Sequence, residues 1–401
     1  MNLFADEIRR DPYPLYSRMR TDSPLLRVPP PFDAWLVFDY ETVKWILSDH
    51  QVFSSRVRAP KWFTFFDPPE HTKLRNLISQ AFHPRMAAEL EPRIRALSRQ
   101  LLDRNAVGGE MDLAADFSIP LAMQVIAGII GIPLEEWAQY RQWSDVILRL
   151  SYTRSGGPEA ELAMRDFNAV TLEMDAWLAP MIERRRGAAG DDLLTRLMKA
   201  EIDGETLSQK EILGFFQLLI VAGQETTANL INNAVLCFLE HPGQLARLLA
   251  EPGLLPGAIE EVLRYRSPLQ WIMRTPGRDV EVHGRTIPAG GLVLPMMGSA
   301  NRDPRQFPDA DSFDIRRDPN PHVSFGHGIH FCLGAALSRL ESKIALSDLL
   351  RRFQSFELAS GQPWEPRQAL NVHGPASLPI RFTLAREAAA PQPRPHAPPS
   401  R

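Results

Sequence analysis

A single cysteine stands in a loop punctuated by glycines, Phe325-Gly326-His327-Gly328-Ile329-His330-Phe331-Cys332-Leu333-Gly334. Glycine lacks a Cβ and tolerates strained backbone dihedrals, so the loop leaves room for a flat ligand against its backbone. An apolar, helix-forming run, Ala335 to Glu341, follows at once. We expect the start of that helix to favour a thiolate at Cys332, because N–H groups and the positive end of the helix dipole lie there. The loop therefore predicts a thiolate metal ligand, with a free cysteine in a turn as the alternative.

The spacing of the loop is Phe325, two residues, Gly328, three residues, Cys332, one residue, Gly334. It resembles the haem-ligand loop of the cytochrome P450 monooxygenases. A lone thiolate also suits haem better than zinc or an iron–sulfur cluster, since those take several ligands. The resemblance implies that Cys332 binds the iron of haem b, that Phe325 borders the haem, and that His330 contacts a propionate.

The resemblance also implies a mainly α-helical cytochrome P450 fold with a minor β region. The haem would lie between the long central helix and the helix that follows Cys332. We expect residues 1–385 to form a single domain and the proline-rich residues 386–401 to form a disordered tail.

Composition limits the remaining classes of function. The chain has 401 residues, a net charge of −3 and two cysteines, so it predicts neither nucleic-acid binding nor a disulfide framework. The N-terminus is charged and lacks the apolar core of a signal peptide. No apolar run approaches the roughly 20 residues of a membrane span. We expect a cytoplasmic monomer that binds neither nucleic acid nor a membrane.

Hydrophobic periodicity places the main elements along the chain. The longest helical pattern, Ser208 to about Glu240, ends at Pro242, and residues 151–158 form the most loop-like interruption before it. In the family, such a loop belongs to a lid over the substrate channel. Further helices are predicted at residues 41–48, 67–82, 86–102, 120–130, 135–149 and 159–186; strands at 34–38, 280–282, 285–287 and 292–295; and a hairpin at 364–382.

The middle of the longest helix carries Ala222-Gly223-Gln224-Glu225-Thr226-Thr227. A buried charge is costly, glycine weakens a helix, and a threonine hydroxyl can bond a backbone carbonyl, so the sequence predicts a local widening of the helix. A satisfied polar kink is the alternative. The resemblance implies that Glu225 and Thr226 relay protons to dioxygen, that Gly223 borders the haem and that Ala222 borders the substrate.

His71 and Arg75 are four residues apart on a predicted helix and therefore share a face. Two cationic side chains in this pattern are most simply solvated. The resemblance instead implies that both bind a haem propionate, together with Arg274, because buried carboxylates need charge-assisted hydrogen bonds.

Glu261 and Arg264 lie three residues apart on another predicted helix. Such pairs are usually surface salt bridges of small value. The resemblance implies a buried Glu–Arg pair that Arg317 completes, in a structural and not a catalytic role.

Four aromatic residues precede the His71 helix: Trp62, Phe63, Phe65 and Phe66. They either pack in the core or face a substrate. Only eleven residues, Arg56 to Phe66, separate the preceding extended segment from Asp67, whereas family members commonly have a longer loop there. We therefore expect a more open or differently capped pocket that these aromatics line. By analogy the pocket also includes Leu269, Ile272 and Val372.

The resemblance implies electrons that come ultimately from NAD(P)H, through a ferredoxin or flavodoxin with its reductase. Lys73 and Arg339 are candidate contacts for an acidic partner. The implied reaction is hydroxylation or epoxidation, using O2, of a hydrophobic small molecule such as a terpenoid, steroid, fatty acid or polyketide. A peroxide-driven haem-thiolate peroxygenase and a haem-binding sensor or carrier without turnover are the alternatives.

Overall fold

The structure is a computed structural model. It describes residues 5–30, 32–56, 62–82, 84–105, 108–133, 136–150, 157–186, 190, 192–361, 363–367 and 369–385. The predicted tail at residues 386–401 lies outside the described residues, as do residues 151–156 of the predicted lid loop.

The described chain is predominantly helical, as the sequence predicts. Its helices are α1 Asp6–Arg10, α2 Tyr13–Asp22, α3 Tyr40–Ser48, α4 Glu70–Ala81, α5 Pro84–Asn105, α6 Ile119–Ile130, α7 Trp137–Leu148, α8 Gly157–Arg185, α9 Leu193–Lys199, α10 Gln209–Glu240, α11 Pro242–Ala250, α12 Leu255–Tyr265, α13 Met297–Ala300 and α14 Ala335–Arg352.

The strands are short and form small sheets beside the helices. They are β1 Leu25–Val28, β2 Ala34–Val37, β3 Phe53–Ser54, β4 Glu110–Asp112, β5 Glu201–Ile202, β6 Glu205–Thr206, β7 Thr275–Pro276, β8 Val280–Val282, β9 Arg285–Ile287, β10 Leu292–Pro295, β11 Phe353–Leu358 and β12 Pro379–Leu384. One sheet has the order β1-β2-β10, with β1 antiparallel and β10 parallel to β2. Another has the order β11-β12-β4 and is antiparallel.

Helix α10 is the centre of the larger hydrophobic core. Ser208 caps its start, because the Ser208 side chain accepts the Glu211 N–H and the Glu211 carboxylate accepts the Ser208 N–H. Most residues from Ile212 to Phe238 are buried, which explains why this helix is apolar on nearly every side. The helix packs against α6, α12 and α14.

Gly223 allows α10 to approach α6 closely. A Cβ at this position would collide with the Ile126 side chain of α6. The glycine is therefore required by helix packing, in addition to any contact that it makes with a ligand.

Two predicted details differ in the structure. Thr226 Oγ1 donates to the Ala222 carbonyl at 2.7 Å, yet α10 stays α-helical through this turn, so the predicted widening is not seen. The predicted hairpin at residues 364–382 is reduced to a bridge between Pro366 and Pro375. The strands that pair along their length are β11 and β12, because Phe353 and Phe382 stack in the core.

One helical stretch, Leu113–Ile130, is long and apolar enough to cross a membrane by length and composition alone. The prediction that no apolar run approaches this length does not hold for it. In the structure 72% of the stretch is buried against other elements, as in the core helix of a globular protein.

Candidate functional site

A cavity of about 360 Å³ separates α10 from the cysteine loop and the start of α14. Cys332 and Phe325 border it from the loop, and Ala222, Gly223 and Thr226 border it from α10. Most of the other lining residues are apolar. The folding of the chain therefore brings the cysteine loop and the polar turn of α10 to the same chamber.

Backbone geometry explains two of the loop glycines. Gly326 and Gly328 have φ of +73° and +70°, a conformation that side chains with a Cβ rarely adopt. A Cβ at Gly328 would also lie 3.1 Å from the Leu47 carbonyl oxygen at the end of α3. The Cys332 N–H donates to the Phe325 carbonyl at 2.9 Å, which closes the loop.

The electrostatic environment of Cys332 differs from the expectation. Helix α14 begins at Ala335, and the group that hydrogen-bonds to the sulfur is the Gly334 N–H. Desolvation outweighs this bond and the nearby charges of Arg75 and Arg339, and it raises the pKa of the Cys332 thiol. A bound metal cation would supply the driving force for the thiolate, because a coordinating thiol is deprotonated.

A cluster of basic side chains lies beside the loop: His71, Arg75, Arg274 and His330. His71 and His330 have ring centroids only 4.3 Å apart, and Arg274 is buried. Both ring nitrogens of His71, and Nδ1 of His330, lack hydrogen-bond partners within the described chain. The other His330 nitrogen, Nε2, lies 3.0 Å from Ser55 Oγ.

The chain does not neutralise this cluster. Burial, followed by the Arg75 charge, lowers the pKa of His71 to about 4, and burial, followed by Arg274, lowers that of His330 to about 2. Asp67 acts on His71 and Arg274, but its carboxylate already accepts from the Ser54 hydroxyl and the Ser55 N–H. Unpartnered buried donors beside a single cysteine fit a ligand that carries carboxylates and a metal, as haem does.

The acid predicted on α10 is held by an ion pair. Glu225 is buried, and Arg367 binds it in bidentate fashion, with Nε 2.5 Å from Oε1 and Nη2 2.6 Å from Oε2. Asn229 Nδ2 also donates to Oε1 at 3.0 Å. The carboxylate is therefore satisfied by protein donors, whereas its neighbour Thr226 borders the cavity.

A second buried acid, Glu341 on α14, borders the same cavity. Its Oε1 has no hydrogen-bond partner in the described chain, and burial raises its pKa to about 8. Next to it, Thr227 Oγ1 donates to Ser338 Oγ at 3.1 Å, which joins α10 to α14. At neutral pH the Glu341 carboxyl is thus mainly protonated.

Of the four aromatic residues before α4, three line the cavity and one does not. Trp62, Phe63 and Phe65 line the cavity, and Trp62 and Phe63 are also buried in the core, so both interpretations of this stretch apply. Phe66 is not among the lining residues. The prediction of a more open pocket depends on residues 57–61, which lie outside the described residues.

Among the other predicted pocket residues, Leu269 and Ile272 line the cavity. Val372 does not, because it pairs with Leu269 in an isolated β-bridge and faces a separate cavity of about 40 Å³. Several lining residues that come from distant elements were not predicted. They are Phe82, Ile126, Phe215, Leu218 and Leu219.

Glu261, Arg264 and Arg317 form one buried network. Arg264 donates from Nε and Nη2 to the two Glu261 oxygens at 2.8 and 2.7 Å, and Arg317 Nε donates at 3.2 Å. Asn320 Nδ2 and the Asp314 N–H complete the shell around the same carboxylate. The network connects α12 to the chain that leads into the cysteine loop.

The two candidate partner contacts are both occupied within the chain. Lys73 forms a salt bridge with Glu205. Arg339 donates to both oxygens of Glu260 at 2.7 and 2.8 Å and lies 4.4 Å from the centre of the Phe325 ring. Both charges are thus paired within the chain, and their part in docking a partner stays a prediction.

Two polar residues of the site were missed for different reasons. Glu341 could have been found, because it lies four residues after Leu337 on the apolar face of α14. Arg367 gives no signal, because it lies in irregular chain and only the tertiary fold brings it to Glu225.

Comparison with known proteins agrees with the chemistry of the cavity. Residues 162–378 match the family model "Cytochrome P450". The chain is 41% identical to a putative cytochrome P450, YjiB, from Bacillus subtilis (strain 168), over 88% of this chain and 90% of that protein.

Solved structures of cytochromes P450 are also similar to this chain. Cytochrome P450 CYP109Q5 from Chondromyces apiculatus superposes with a TM-score of 0.87 and 37% identity, over 96% of this chain and 98% of that chain. CYP109E1 from Bacillus megaterium, in complex with testosterone, superposes with a TM-score of 0.84 and 37% identity, over 92% of this chain and 99% of that chain. The chain belongs to the cytochrome P450 family: it is a monooxygenase with a haem b cofactor, whose electrons derive from NAD(P)H through partner proteins.

Proposed function

We propose that Cys332 would bind the iron of haem b and that the chain hydroxylates or epoxidises a hydrophobic small molecule in the 360 Å³ cavity. The observation that carries this proposal is that Cys332 and Thr226, from distant elements, line the same chamber. Haem b, when bound, supplies oxygen activation with two electrons. The residues of the chain bind, orient and protect the reactants.

The basic cluster would hold the haem carboxylates. His71 and His330 present buried ring nitrogens without partners in the described chain, and the Arg75 and Arg274 guanidinium groups lie beside them. A dianion there would form charge-assisted hydrogen bonds and raise the depressed pKa values of both histidines.

Thr226 and Glu225 would handle protons. The Thr226 hydroxyl lies at the cavity wall with its hydrogen donated to the Ala222 carbonyl, which leaves its oxygen free to accept a bond from bound water. Glu225 lies one residue away, and its carboxylate would exchange protons with that water after it turns from Arg367. This is a general-acid role, because the proton must arrive from outside the apolar chamber.

The substrate would be a hydrophobic molecule such as a terpenoid, steroid, fatty acid or polyketide. The lining, with Trp62, Phe65, Leu219 and Ile272, offers apolar contacts and few polar ones. The testosterone complex of the similar CYP109E1 makes steroids the first class to screen. Spectral titration of the haem with each class measures which molecules enter the chamber.

The partner would be a ferredoxin or flavodoxin with its reductase, and we propose that the enzyme acts as a cytoplasmic monomer. Turnover should therefore appear with such a reconstituted chain and NAD(P)H. Turnover with peroxide at equal or greater efficiency would instead favour a peroxygenase.

Ligation by Cys332 is tested with the carbon-monoxide difference spectrum of the reduced protein. The unmodified protein should show the red-shifted band of thiolate ligation, and Cys332→Ser should lose it. The matched control is Cys237→Ala, since Cys237 is fully buried in α10 away from the cavity and should leave the band unchanged. A retained band in Cys332→Ser would refute the ligand assignment.

Proton delivery is tested with Thr226→Ala. We expect electron consumption to continue while product per electron falls several-fold, because the oxygen-side hydroxyl is lost. Thr227→Ala serves for comparison, since its hydroxyl is bonded to Ser338, and its loss of coupling should be smaller. Unchanged coupling in Thr226→Ala would remove Thr226 from the mechanism.

A further inference from the structure

A buried amide interrupts the apolar surface of α10 two turns before the Glu225 region. Gln217 is 3% exposed and is flanked by Phe215, Phe216 and Leu218. A primary amide in such surroundings is costly unless its oxygen and nitrogen both find partners. Gln217 finds both, on two different elements.

The oxygen of the amide holds the aromatic wall of the cavity. Trp62 Nε1 donates to Gln217 Oε1 at 3.2 Å. The Trp62 ring in turn stacks on Phe65, with centroids 5.5 Å apart and planes 13° apart, and both rings line the cavity. The position of this wall therefore depends on Gln217.

The nitrogen of the amide holds α8. Gln217 Nε2 donates to Thr171 Oγ1 at 3.0 Å. Because an indole N–H can only donate, Oε1 must face Trp62, and the NH2 group is then directed to Thr171. One amide thus connects the aromatic segment, α10 and α8 with a fixed orientation; we call this set, Trp62, Gln217 and Thr171, the amide bridge.

We propose that Gln217 is a specificity-determining residue: through the amide bridge it holds the Trp62–Phe65 wall in a position that slows the entry of bulky ligands. Entry of a bulky ligand displaces the wall and breaks at least one of the two hydrogen bonds. A net hydrogen bond contributes about 0.5–1.5 kcal/mol, which corresponds to roughly a two- to tenfold change in rate. The inference rests on the proposed function for the use of the chamber, but its test needs no turnover.

The test follows the haem absorption of the ferric holoenzyme by stopped flow after mixing with two iron-binding probes. Imidazole is small, whereas clotrimazole carries three phenyl rings on the same heterocycle. Thr171→Val removes only the hydroxyl and leaves the Trp62–Phe65 wall intact, Gln217→Leu removes both bonds, and Trp62→Phe removes the indole donor together with one fused ring. Each variant should bind clotrimazole roughly two- to tenfold faster and bind imidazole at the unmodified rate.

A matched control breaks another bond between the same two helices. Gln209 Nε2 donates to Asp175 Oδ1 at 3.0 Å near the exposed start of α10, outside the cavity. Gln209→Leu should change neither rate. Adding Thr171→Val to Gln217→Leu should give no further acceleration, because the bond that Thr171 makes is already absent.

The outcomes separate this inference from the proposed function. Equal acceleration of both probes, or no effect of Trp62→Phe and Thr171→Val on clotrimazole, would overturn the role of the amide bridge. Selective acceleration in a protein that oxygenates nothing would support the bridge and overturn the proposed reaction. If the protein oxygenates its substrate but the variants do not bind clotrimazole selectively faster, the proposed reaction would be supported and the role of the amide bridge overturned.

Discussion

Glu225 and Arg367 form a buried ion pair between α10 and the irregular chain before β12. The Glu225 side chain is 2% exposed and that of Arg367 is 18% exposed, so water does little to screen the pair. This pairing holds the acid away from the cavity. Release of Glu225 from Arg367 is therefore the step at which proton delivery would be controlled.

Arg367→Gln should destabilise the protein by about 3–5 kcal/mol at pH 8, because it leaves a buried carboxylate with Asn229 as its remaining donor. Urea unfolding at pH 8 measures the loss. The double variant Arg367→Gln/Glu225→Gln should recover much of the stability; a double variant as unstable as Arg367→Gln would contradict the charge argument.

The raised pKa of Glu341 should make the stability of the protein depend on pH. Burial raises its pKa from 4.5 to about 8, so the folded protein keeps a proton that the unfolded chain has released. Stability should therefore fall as the pH rises from about 4.5 to about 8 and level off above that range.

Glu341→Gln removes this term, because the amide cannot ionise. Its stability relative to the unmodified protein should rise between pH 5 and pH 8 by more than about 1 kcal/mol. Denaturant unfolding of the holoenzyme at both pH values provides the measurement. Glu357→Gln on the exposed face of β11 is the control, and parallel pH curves for Glu341→Gln and the unmodified protein would contradict the assignment.

Elements, more than single residues, set the geometry of the cysteine loop. The loop turns twice through positive φ and rests on the end of α3, while α14 continues from it into the core. The same turns bring Phe325 and His330 to the cavity wall beside Cys332. The glycines therefore serve both the turn and its close packing.

Gly326 and Gly328 separate these two effects. Both have nearly the same φ, but a Cβ at Gly326 would meet its nearest atom at 3.6 Å, whereas one at Gly328 would approach Ser48 Cα at 3.0 Å. Gly326→Ala should cost about 1–2 kcal/mol for backbone strain alone. Gly328→Ala should cost more and lose haem faster, as measured by thermal unfolding and by haem transfer to apomyoglobin; equal losses would exclude the contact with α3.

The Glu261 network joins segments that are far apart in the chain: α12 and the segment before the cysteine loop. Arg264 also donates to the carbonyls of Asn301, Ala310 and Ser312, so one fully buried guanidinium fixes several turns of irregular chain. Such chain needs side-chain donors because it lacks the hydrogen bonds of helix or sheet.

Glu261→Gln should therefore destabilise the protein by about 3–5 kcal/mol, since Arg264 would lose its buried counterion. The adjacent Glu260→Gln is the matched control: Glu260 is 31% exposed and pairs with Arg339 and His322, so its loss should be smaller. Denaturant unfolding compares the two. If Glu260→Gln destabilised the protein as much as Glu261→Gln, burial of the ion pair would not explain the loss of stability.

The sequence predicted the helical class, the central helix and the strands β8, β9 and β10, because hydrophobic periodicity and turn residues are local signals. The cysteine loop was equally readable, since the spacing of its glycines reflects the backbone conformation of the loop itself. The sequence could not place Arg367 on Glu225, because irregular chain carries no periodic pattern that predicts a distant contact.

The sequence alone was thus sufficient to predict a single cysteine within a glycine turn, an acid and an alcohol on a buried helix, and basic residues on one helix face. The tertiary structure decided that the cysteine, the alcohol and several basic residues meet around one cavity, that Phe66 and Val372 stay outside it, and that an arginine holds the acid outside it as well. The reason is physical: local propensity fixes turns and helices, whereas pairing of buried charges and shape of a cavity depend on chain segments far apart in sequence.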